Sequence, residues 1–127
     1  MHGKLIASLL IAGLMLTSCQ PASNKLTRST ILELNKTCVQ AFDYKVAYLY
    51  VIKTDKEKAR KIVDELLKAG EMTKILDEYK QPKLAEVFYS LSKAGEQFDL
   101  YLSTEENKYY TTGVLYYNTA QKLYESD

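Results

Sequence analysis

"STILELNKTCVQAFDYKVAYLYVIK", Ser29 to Lys53, sets the fold class. Its apolar residues Ile31, Leu34, Cys38, Phe42, Val46, Leu49 and Ile52 recur at spacings of three or four. An α-helix turns once in 3.6 residues, so that spacing gathers them on one face and predicts a single long amphipathic helix. The rest of the chain keeps the same period. "TDKE", Thr54 to Glu57, matches a capping box, in which a threonine hydroxyl and a glutamate satisfy each other's orphan amides. It opens a second helix with Ala59, Ile62, Val63, Leu66 and Leu67 inside, which Gly70 is expected to stop. Met72, Ile75, Leu76 and Tyr79 form a short third segment closed by Pro82.

A fourth helix, Lys83 to Leu102, aligns Leu84, Val87, Phe88, Leu91, Ala94, Phe98, Tyr101 and Leu102. Gly95 interrupts it beside that face. Glycine in a helix costs about 1 kcal/mol against alanine, so a neighbour approaches closely there or the helix bends. "STEE", Ser103 to Glu106, is a second capping box, and a last helix runs towards Glu125. No alternation with period two and no Asn-Gly or Asp-Gly turn occurs. The expected fold is all-α, a small antiparallel bundle of four to five helices spanning 29–127. Glu57 with Lys61 and Asp64 with Lys68 fit solvated i,i+4 pairs on its surface.

Upstream the chain changes character. "LIASLLIAGLML", Leu5 to Leu16, is apolar apart from Ser8 and follows a single positive charge at Lys4. As a helix it reaches only about 18 Å, short of the ~30 Å bilayer core, so it reads as the apolar part of a secretory signal. "LTSC", Leu16 to Cys19, then resembles the lipobox of bacterial lipoproteins: a branched apolar residue, two small ones and a cysteine. That resemblance covers the first twenty residues only. It implies a signal peptide at 1–18, fatty (palmitate-type) acylation of Cys19, and a mature chain that begins there. Aspartate after the cysteine marks inner-membrane retention in that family. Gln20 therefore implies the outer membrane, with the domain facing the periplasm. Several acyl chains anchor far more firmly than one. Residues 19–28 are polar, hold Pro21 and read as a tether with a span of about 15–18 Å.

Maturation of this kind also removes His2 and Lys4. Basic and acidic residues then balance, which leaves no electrostatic case for nucleic acid. The mature chain holds no histidine and no tryptophan, and Cys38 is its only thiol besides Cys19. Ordinary zinc sites and Ser-His or Cys-His nucleophile pairs are excluded on those grounds. Every Asp and Glu falls in a charge-mixed helical pattern, which speaks against two-carboxylate hydrolysis. The expectation is a non-enzyme with no catalytic residue, no metal and no cofactor.

Tyrosine is the compositional outlier, with eleven copies against three phenylalanines. In the last helix Tyr110, Tyr117 and Tyr124 repeat every seven residues along one strip, and Tyr109, Tyr116 and Leu123 along the next. Tyrosine gives large contact area at low entropy cost, so Tyr109, Tyr110, Tyr116 and Tyr117 are the candidate partner-binding residues. Tyr44 and Tyr48 fit the same patch or a groove between helices. Cys38, on the apolar stripe, fits either a buried thiol or a disulfide to a partner.

The functional expectation is a membrane-anchored, non-catalytic module that binds or assembles an envelope protein. It resembles the secretion pilotins in size, anchor and helix content. The alternative is an immunity or exclusion lipoprotein that blocks a toxin, a phage or a conjugating cell. Near-neutral charge weighs mildly against it, because many toxin inhibitors associate through strong charge complementarity.

Overall fold

A computed structural model describes residues 27–126. The expected signal peptide, Cys19 and most of the expected tether lie outside the described residues. Five helices follow: α1 (Arg28–Asp43), α2 (Lys45–Thr54), α3 (Lys56–Glu78), α4 (Pro82–Thr104) and α5 (Asn107–Glu125). The chain is an all-α bundle, and no strand occurs among the described residues. No helix among them is long and apolar enough to cross a membrane.

The helices divide the chain differently from the periodicity. The expected long first helix is two, separated at Tyr44, where the backbone sits at φ −96°, ψ 10°. Neither proline nor glycine marks the spot. What distinguishes it is the hydroxyl of Tyr117, which donates at 2.6 Å to the carbonyl of Ala41 in the last turn of α1. A side chain engaging the helical carbonyl ladder is one of the recognised causes of a helix break. Val46, expected on the inner face, is 77% exposed; Ile52 is buried as expected, and Tyr48 is buried one turn before it.

The cap of α3 is Asp55, not Thr54. Its carboxylate accepts from the Lys58 amide at 3.1 Å. Thr54 ends α2, its hydroxyl donating to the Tyr50 carbonyl. Nor does Gly70 stop a helix, because α3 runs through it to Glu78. A Cβ at Gly70 would lie 3.3 Å from that of Ser92, so the residue permits close packing against α4. Gly95 meets α3 in the same way. Its absent Cβ would stand 2.9 Å from the Leu66 Cβ and 3.0 Å from the Leu67 amide nitrogen. Of the two options open at Gly95, close approach is the one realised.

The actual stop is at Tyr79–Lys80. Lys80 is left-handed at φ 56°, and the Gln81 amide reaches back to the Leu76 carbonyl at 2.8 Å. That six-to-one closure is the Schellman pattern. Pro82 then opens α4 at a position where its missing N–H costs nothing. At the far end Glu105, left-handed at φ 61°, terminates α4. The expected Ser103 capping box does not form, because α4 continues through Thr104. The Thr104 hydroxyl instead accepts from the Glu106 amide.

With connections this short, α3, α4 and α5 are antiparallel neighbours, and α2 packs on α3. The core runs from Leu34, Cys38 and Phe42 through Tyr48 and Ile52. It continues in Ile62, Val63, Leu66 and Leu76 of α3, Val87, Phe88, Leu91 and Phe98 of α4, and Tyr117 and Ala120 of α5. Each large side chain buried there contributes about 1.5–3 kcal/mol. Gly113 completes the α4–α5 seam: a Cβ would come within 2.5 Å of the Phe98 ring.

Candidate functional site

The tyrosine strip of α5 is the element that holds α1 and α2 in place. Tyr110, Tyr117 and Tyr124 stand two turns apart, so their hydroxyls leave the same side of the helix. Tyr110 donates to the Leu49 carbonyl at 3.2 Å and Tyr117 to the Ala41 carbonyl at 2.6 Å. Tyr124 donates to Oδ1 of Asn35 at 2.9 Å and lies 3.3 Å from its carbonyl oxygen. Between them the Lys45 ammonium donates to Asn118 Oδ1 at 2.9 Å and Gln121 Oε1 at 2.7 Å. The strip therefore engages α1 and α2 at three levels along its length, with long side chains spanning the gap.

Two of the four expected contact tyrosines are consumed by this clamp. Tyr117 is fully buried, and desolvation pushes its hydroxyl well above the ordinary tyrosine range. Tyr110 is half-buried between Phe98, Tyr101 and the Lys53 ammonium, which lies 4.6 Å from its ring centre. Its pKa is raised too, by desolvation first and by Tyr101 second. Tyr109 and Tyr116 are the two of the four that lie outside the clamp. By helical rotation these lie beyond Gly113 and Ala120, on the flank of α5 turned towards α4, and both are half-buried. Tyr48 is buried, so it lines no open groove. Cys38 is a buried free thiol, its pKa pushed up to about 12 by desolvation.

The exposed apolar residues lie elsewhere. Leu32, Val39, Val46 and Tyr50 are 58%, 44%, 77% and 68% exposed, at spacings of seven, seven and four. They draw a line along the outer face of α1 and α2. Beside its first half is an open groove of about 660 Å³, lined by Leu32, Asn35, Lys36 and Val39 among others. Seven-residue spacing in 32, 39 and 46 is legible in the sequence. It is masked there by the stronger inner pattern, to which Val46 was assigned.

The other exposed large apolar residues are Tyr89 and Leu100 on α4 and Leu115 on α5, with Tyr79 by itself at the end of α3. Both α4 and the α1–α2 pair border α3 and α5, so their outer faces lie on opposite sides of the bundle.

The charged groups offer little chemistry. Among the described residues no cluster of three His, Cys, Asp or Glu side chains is placed to hold a metal. Arg60 bridges Asp64 at 3.1 Å and Asp99 at 2.8 Å, tying α3 to α4 at the surface. Lys68 pairs with Glu65 at 3.3 Å, not with the expected Asp64. Glu65 also departs from the expectation that every carboxylate is solvated. Its side chain is only 4% exposed, its Oε2 has no hydrogen-bond partner, and desolvation raises its pKa despite Lys68.

Comparison with family models, with curated proteins and with solved structures finds no match to this chain.

Proposed function

We propose that this protein is a lipid-anchored, non-catalytic adaptor of the cell envelope. It is tethered through Cys19 to the outer membrane and holds an envelope protein there in the manner of a pilotin. The observation that supports this reading is the placement of exposed apolar side chains in two sets on opposite sides of one small bundle. A protein that only needs to fold and stay soluble exposes apolar residues singly. Two separated sets fit a molecule that meets two things at once. The side carrying Leu100 and Leu115, with Tyr89 nearby and Tyr109 and Tyr116 at the flank, is assigned to the protein partner. Large, rigid side chains of these types concentrate binding energy.

The test places a photo-crosslinking amino acid at Leu100, at Leu115 and, as a control, at exposed Lys74, in living cells. The adaptor reading expects one envelope protein attached from positions 100 and 115, not from 74, and lost with Cys19→Ser. Absence of any adduct from 100 and 115 at normal abundance of the protein contradicts it.

A further inference from the structure

We propose that the line Leu32, Val39, Val46 and Tyr50 lies on the surface of the bilayer that carries the lipid anchor, so that α1 and α2 rest in the headgroup region. This rests on the proposed acylation of Cys19 and adds to it an orientation.

Reach comes first. Eight residue steps separate Cys19 from Thr27, and a chain gains at most about 3.3–3.6 Å per residue. In whatever conformation, the start of α1 stays within about 28 Å of the anchored cysteine. Leu32 follows one turn into that helix. A bilayer held this close acts at high effective concentration, without a fresh association step. No other surface is guaranteed to be so near.

Shape and charge agree. Leu32 and Val39 stand two turns apart on α1, and Val46 and Tyr50 one turn apart on α2, so each helix presents an exposed apolar pair on one side. The charges beside it balance: Arg28 and Asp43 are exposed on the same side, Lys36 pairs with Glu33 at 3.8 Å, and Lys45 is bound to Asn118 and Gln121. Protein partners usually require complementary charge to set register. An apolar line with no net charge beside it reads depth, not register. Docking here also turns the α4 face, with Tyr89 and Leu100, away from the membrane and towards a partner.

Because the chain contains no tryptophan, one introduced indole reports its own surroundings. Acylated protein is reconstituted in phosphatidylethanolamine–phosphatidylglycerol vesicles as Val46→Trp or Val39→Trp, with Tyr89→Trp as the opposite-face control. Flotation and intact mass establish the anchor separately, and circular dichroism establishes the fold. The expected result is emission at shorter wavelength from positions 39 and 46, quenched severalfold more strongly by brominated acyl chains than that from position 89. Anchored protein in which positions 46 and 89 are quenched alike overturns the orientation and leaves the anchor standing. Emission at short wavelength without lipid quenching also overturns it, in favour of a protein helix or a second copy on the line. Chain that is neither acylated nor floated overturns both readings.

Discussion

The hydroxyl of Tyr117 donates to the carbonyl of Ala41 at 2.6 Å, with both residues fully buried. The contact joins α5 to the last turn of α1, where carbonyls lack intrahelical partners. It lies three residues before the break that separates α1 from α2.

Removing that hydroxyl strands a buried acceptor. Tyr117→Phe keeps the ring against Phe42, 6.0 Å between centroids, and loses only the bond. The expected cost is about 1–3 kcal/mol, the usual penalty for an unsatisfied buried group. Tyr110→Phe and Tyr124→Phe, at half-buried positions, cost less, about 0.5–1.5 kcal/mol each. Urea denaturation of the three variants checks the ranking. A larger loss at 110 or 124 than at 117 contradicts the central place of the Ala41 contact.

The same clamp sets the alkaline limit. Folding raises the pKa values of Tyr110, Tyr117 and Tyr124 above the ordinary 10, chiefly through desolvation. The folded state therefore keeps protons that the unfolded state releases. Their contribution is complete below pH 10 and is lost as pH rises beyond it. Stability measured from pH 8 to 12 falls from about 9, where the buried Cys38 thiol begins to count, and more steeply above 10. Tyr117→Phe shows a shallower fall above 10. Equal slopes in both proteins contradict this assignment.

Glu65 runs the opposite way from a paired surface carboxylate. Its folded pKa is raised, so its contribution is favourable below the ordinary 4.5 and is lost as pH rises through the folded value. At neutral pH the buried ion is a cost that Lys68 only partly offsets. Glu65→Gln is expected to stabilise the protein at pH 7 by on the order of 1 kcal/mol, with the gain shrinking towards pH 4. Loss of stability at pH 7 would mean that the ion pair with Lys68 dominates.

Gly113 faces the Phe98 ring with no room for a methyl group, a Cβ falling 2.5 Å from the nearest ring carbon. Gly113→Ala is expected to destabilise by about 1–3 kcal/mol despite alanine's better helix propensity. Phe98→Leu in the same chain recovers part of that loss. Glu105→Gly works the other way: it relieves a left-handed residue at a cost of about 1 kcal/mol, and gives up only the exposed Lys56 pair. Thermal melting of the variants separates the two effects.

How much of this is visible in the sequence depends on the kind of interaction. The all-α bundle follows from hydrophobic period alone, and Gly95 is legible as a position that demands either a close neighbour or a bend. Helix limits were not. Gly70 looked like a stop because glycine at a helix end and glycine at a helix crossing leave the same letter, and only the partner Ser92 distinguishes them. The break at Tyr44 coincides with a hydrogen bond to Ala41 from Tyr117, 73 positions beyond the break, a contact that no local rule finds. The seven-residue tyrosine strip was legible, but its use was not. A hydroxyl is equally suited to a partner's carbonyl and to one on the protein's own α1. Val46 hides the exposed line because it also fits the three-and-four spacing of the inner face.

Intact mass and fractionation of the native protein from cells decide between an anchored and an unanchored chain. The account expects a chain beginning at Cys19 that carries acyl groups and sediments with outer membranes, and expects Cys19→Ser to be released from them. An unacylated chain that retains Met1 and is found in the soluble fraction would contradict the anchor, and the adaptor with it.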